Sequence, residues 1–89
     1  MKISKAIKKL NRNGYGVKKV DAHRSWRGVQ LGNAYVIELL VDREGDLATI
    51  RVRHMRDSDE RITDYSGGSF YPNLTQAITA SERTRISAR

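Results

Sequence analysis

The sequence has no cysteine, which excludes disulfides, thiolate zinc sites and cysteine nucleophiles together. It has no long apolar run: Tyr35-Val36-Ile37 and Leu39-Leu40-Val41 are separated by Glu38, far short of the ~20 residues that span a bilayer. The basic N-terminus lacks the apolar core of a secretion signal. No Ser/His/Asp order, zinc motif or phosphate-clamping glycine loop is present, and the only histidines are His23 and His54. With 89 residues there is no room for a barrel enzyme or a full dinucleotide-binding domain. Acidic residues are also missing from the first twenty positions; the first is Asp21.

What is present is positive charge, unevenly placed. Residues 1–27 carry +8, residues 28–72 carry −3 and residues 73–89 carry +2, for a net +7. A basic front half against an acidic middle gives the molecule an electrostatic direction and points to a polyanionic partner. Hydrophobic residues at 38% and charged residues at 30% describe a globular chain with one modest core.

The pattern predicts a helix over residues 3–12, where Ile3, Ala6, Ile7 and Leu10 form an apolar stripe ended by Asn13-Gly14. A strand is expected over 15–26, bulged near Lys18-Lys19 or turning Val17 away from the core, then a turn or loop from Arg27-Gly28 to Gly32-Asn33. Residues 34–41 read as a central strand and 47–55 as its partner across the loop Asp42–Asp46. Arg61–Tyr65 reads as a short fourth strand. Asn73 caps a second helix that turns Leu74, Ala77, Ile78 and Ser81 inward. The expected fold is α+β: helix, three- or four-stranded antiparallel meander, helix, with both helices on one face. Residues 1–81 form the single domain, and 82–89 are a basic tail or helix extension. Double-stranded-RNA-binding domains and HicA-type toxin ribonucleases share this order, an analogy of fold alone.

The candidate nucleic-acid surface is Lys5, Lys8, Lys9 and Arg12 on the first helix, extended by Lys18, Lys19, Arg24 and Arg27. An ordinary solvated face mixes charge signs; this helix has no acid. Trp26 between Arg24 and Arg27 suits base stacking or, with Tyr71, a protein-binding hot spot; its parity with Val20 and Ala22 equally suits the core. Arg51, Arg53 and Arg56 are expected on an exposed strand face, pairing with Glu38 across the hairpin. His54 reads as a satisfied core histidine, and Asp57, Asp59 and Glu60 as a solvated loop without calcium-loop spacing. HicA toxins place a catalytic histidine after Gly-Ser near the end of the first hairpin, where this chain reads Ser25-Trp26-Arg27-Gly28.

Arg61-Ile62-Thr63-Asp64-Tyr65, with Gly67-Gly68, Phe70-Tyr71 and Asn73–Ile78, resembles small proteins of unknown function encoded by bacteriophages, particularly of actinobacteria, and a domain of large polyvalent phage and plasmid proteins. The similarity covers residues 61–78, with echoes in Trp26–Val41. It implies mobile-element origin and expression in a bacterial host's cytoplasm, and carries over no active-site residue. The resulting expectation is a non-enzymatic binding protein without metal or cofactor. Its partner is nucleic acid or, alternatively, a host protein; a toxin-like ribonuclease is the remaining alternative. No membrane is involved, and a sheet edge offers a route to a homodimer.

Overall fold

In the computed structural model, which describes residues 1–20, 24–57 and 68–87, the chain begins with helix α1 (Ile3–Arg12). Its apolar stripe faces inward, with Ala6 and Leu10 fully buried. Gly14 (φ +85°) turns the chain back into strand β1 (Tyr15–Lys19), a left-handed conformation that glycine adopts without a Cβ penalty.

Strands β1, β2 (Ser25–Gln30), β3 (Tyr35–Val41), β4 (Leu47–His54) and β5 (Ser69–Phe70) form one antiparallel meander in that order. A single 3₁₀ turn, Met55–Asp57, follows β4, and helix α2 (Leu74–Ser87) closes the fold. Asn73 caps α2, its Oδ1 accepting from the Gln76 N–H at 2.9 Å. Among the described residues, no helix is long and apolar enough to cross a membrane.

The fold is α+β with two helices and an antiparallel meander. Both helices pack on one sheet face: Ala6, Leu10, Leu74, Ala77 and Ile78 share a core with Tyr15, Ile37, Leu39, Ile50 and Val52. A buried polar network fastens α2 to the far end of the sheet. Ser81 Oγ accepts from the Tyr15 hydroxyl at 3.1 Å and from Asn33 Nδ2 at 2.6 Å.

Several sequence expectations change. The strand expected over 15–26 is two strands, and β1 pairs with β2 without a register shift, so there is no bulge at Lys18-Lys19. Val17 therefore lies on the helix side, packed against the core. Gly28 is not in a turn but buried in the middle of β2; a Cβ there would lie 3.3 Å from Leu10 Cδ1, so the glycine admits α1 close to the sheet. The turn falls at Gln30–Asn33, closed by Asn33 N–H to Gln30 O at 3.0 Å. The strand expected at Arg61–Tyr65 lies outside the described residues, while β5 pairs with β4 at Arg51–Phe70 and Val52–Ser69.

Candidate nucleic-acid interface

Helical periodicity places Lys5, Lys8, Lys9 and Arg12 at i, i+3, i+4 and i+7, a stripe opposite the apolar one. At 100° per residue all four fall within about 100° of arc. Lys5, Lys8 and Arg12 are exposed. Lys9 is half-buried and donates to Thr75 Oγ1, which ties α1 to the start of α2. Among the described residues, none of the four is ion-paired with a carboxylate. Lys2, by contrast, is neutralised by Asp46 at 3.2 Å. Lys9 and Arg12 also occupy the last turn, where cations suit the negative end of the helix dipole.

The second group of cations divides between the two sheet faces. Lys19 lies on the helix side with its ammonium 5.6 Å from the Trp26 ring centroid. Lys18, paired in register with Arg27, lies on the opposite face. Arg24 is exposed just before β2, and its charge helps hold the Asp42 carboxyl below its ordinary range. Trp26 and Tyr71 are both half-buried and pack against the core, so neither is a freely presented anchor. The fold thus brings the α1 cations together, sets Lys19 on the helix side of the adjoining edge strand, and leaves Lys18 and Arg27 as cross-strand neighbours on the opposite face.

Arg27 belongs to a cluster that sequence reasoning only partly anticipated. Glu38 is fully buried on the face away from the helices. Its Oε1 receives Arg51 Nε at 2.9 Å and Nη2 at 2.8 Å. Arg53 Nη1 lies 3.7 Å from Oε1, and Arg27 Nη2 lies 3.8 Å from Oε2. The Arg51–Glu38 register was legible, but exposure was not: Arg51 and Arg53 are each 1% exposed rather than surface residues. Phe70 of β5 lies against Arg51, with the guanidinium carbon 5.8 Å from the ring centroid. Gly68 approaches so closely that a Cβ would lie 2.7 Å from Arg53 Cγ and 3.1 Å from Arg51 Cγ.

Two further candidates resolve into structural roles. Asp42, Glu44 and Asp46 cluster in the β3–β4 hairpin. Asp42 Oδ1 accepts the Glu44 and Asp46 N–H groups at 2.9 and 3.0 Å. These bonds, the Asp46 one foremost, hold the Asp42 carboxyl below its ordinary value. His54 Nδ1 accepts the Arg56 N–H at 3.1 Å, and its ring meets Tyr35 edge-on at 5.1 Å. His23, Asp59 and Glu60 lie outside the described residues.

Comparison with protein-family models, with curated proteins and with solved structures found no match.

Proposed function

We propose that this protein is a non-enzymatic binding module that docks on nucleic acid through the outer stripe of α1. One observation carries the reading: Lys5, Lys8 and Arg12 stand exposed on a helix with no acidic residue and have no carboxylate partner among the described residues. Among the described residues no carboxylate neutralises them, so the cationic stripe is available to phosphates. Lys9, half-buried against Thr75, supports the same face, and Lys19 extends it onto the helix side of the β1 edge, whereas Lys18 lies on the opposite face. Arg27 is withdrawn from the surface proposed from sequence, because Glu38 holds it.

Each phosphate neutralised releases condensed counterions, which makes such binding steeply salt-dependent. Three to four contacts give a slope of log affinity against log salt near −3 to −4 on duplex DNA, about a hundredfold loss between 50 and 200 mM. Fluorescence anisotropy with a labelled 20-base-pair duplex and a single-stranded RNA of equal length measures this directly. The triple variant Lys5→Glu/Lys8→Glu/Arg12→Glu should lose most affinity for both probes and flatten the slope by about three. Unchanged affinity in that variant, with its fold intact by circular dichroism, would overturn the reading.

A further inference from the structure

Strand β1 is an edge, and its outer side is chemically open. Val20 N–H donates to Ser25 O at 2.9 Å. The alternation of an antiparallel pair then directs the main-chain groups of Gly16 and Lys18 toward β2, and those of Val17 and Lys19 away from the sheet. Among the described residues, nothing pairs with these outward groups. A groove follows the strand, lined by Gly16, Val17, Val20 and Val29 together with the cations Lys18, Lys19 and Arg27. On the face away from the helices, Gly16 presents no side chain, and Val29 opposite it is 38% exposed.

From this geometry we infer that the β1 edge accepts an extended, acidic segment of a partner protein as a sixth strand. Two free N–H and two free C=O groups supply the ladder, and the flanking side chains select the occupant. Lys18 and Lys19 are consecutive, so their ammonium groups lie on opposite faces, and two consecutive acids on the partner meet one each. Toward Gly16 the edge is apolar, and a large side chain crossing the bare glycine reaches Val29. The occupant is therefore a short strand with an acidic pair at one end and β-branched or larger apolar residues at the other. A second copy of this chain is the poorer fit. Two β1 strands paired about Val17 would place four ammonium groups in one ribbon, and β1 carries no carboxylate to offset them.

The test uses the blocked peptide acetyl-Glu-Glu-Val-Ile-Val-Thr-amide, labelled with fluorescein for anisotropy and unlabelled for amide exchange. Saturable binding is expected, with the Val17 and Lys19 amides gaining at least tenfold protection from exchange. Lys18→Glu/Lys19→Glu should weaken binding at least tenfold and confer binding of the Lys-Lys counterpart of the peptide. N-methylation of the peptide along the paired edge should abolish binding, whereas methylation along the other edge should not. The α1 triple variant should bind the peptide as the parent does, which separates this site from the nucleic-acid surface. Absent protection at Val17 and Lys19, or affinity indifferent to charge reversal, would overturn the inference. So would a dimer in sedimentation whose Val17 and Lys19 amides are protected without peptide.

Discussion

Replacing Glu38 by Gln removes one negative charge from a buried site and almost nothing else. Glutamine keeps the volume and an acceptor oxygen for Arg51 Nε, now 2.9 Å away. The guanidiniums at 2.8, 3.7 and 3.8 Å lose the carboxylate they surround. Arg51 and Arg53 are about as buried as Glu38 and cannot recover hydration without opening the sheet. Removing one partner of a buried ion pair costs about 3–5 kcal/mol, because the charge left behind stays desolvated. A domain of this length has about 4–13 kcal/mol in total, so Glu38→Gln should remove a large fraction of its stability.

The readout is urea unfolding followed through Trp26, the only tryptophan, which is half-buried on β2. With a slope of about 1 kcal/mol per molar urea, the midpoint should fall by about 3 M or more. The thermal midpoint should fall by at least about 12 °C. Lys5→Gln, an exposed charge change, is the control and should stay within about 0.5 kcal/mol of the parent. A Glu38→Gln protein within 1 kcal/mol of the parent would refute the reasoning: the carboxylate would then not be compensating the arginines on that face.

Gly68→Ala should destabilise by about 2 kcal/mol or more by urea unfolding, since the new Cβ would meet Arg53 Cγ at 2.7 Å and Val52 O at 2.9 Å at a φ of +83°. Ser81→Ala removes the acceptor shared by Tyr15 and Asn33 and should cost about 1–3 kcal/mol, measured in the same way. The Asp42 carboxyl is held below its ordinary value of 3.8, so its contribution is complete above the unfolded-state value and is lost as pH falls through the lower native one. Comparing urea midpoints at pH 5 and pH 3 should therefore show a smaller acid loss in Asp42→Asn than in the parent.

Helix α1 was legible in full because one period fixes both of its stripes: once Ile3, Ala6, Ile7 and Leu10 are inward, Lys5, Lys8, Lys9 and Arg12 must be outward. The β3–β4 hairpin was legible from its alternation and from Gly45, which sits at φ +82°. The β1–β2 boundary was not, because the residues between Lys19 and Ser25 carry no glycine, proline or asparagine. Arg27-Gly28 resembled a turn for a reason local pattern cannot reveal: Gly28 is small to accommodate Leu10, eighteen positions earlier. The burial of Arg51 and Arg53 was illegible for a related reason. Alternation assigns a face, but whether that face is covered depends on tertiary packing, and charged residues default to solvent in any local reading.

The same contrast sorts the cations by what they can be tested for. Arg27 and Arg51 hold Glu38 between β2 and β4, and Arg53 stands beside them, so replacing any of these would lower stability and binding together. Lys5, Lys8, Arg12 and Lys18 stand exposed, with neither an ion pair nor a core contact among the described residues. Reversal of Lys5, Lys8 or Lys18 should leave the urea midpoint almost unchanged, and reversal of Arg12 should cost only the helix-end contribution of about 0.3–1 kcal/mol, so a larger loss of binding in those variants is a loss of the surface itself. Lys19 falls between the two groups, because its contact with the Trp26 ring adds a modest packing contribution of about 0.5–1 kcal/mol. The net charge of +7 is thus a poor guide to the binding surface: among the described residues, Arg27, Arg51 and Arg53 are drawn to Glu38 inside the sheet, while the outer stripe of α1 and the rim of β1 carry cations without a carboxylate partner.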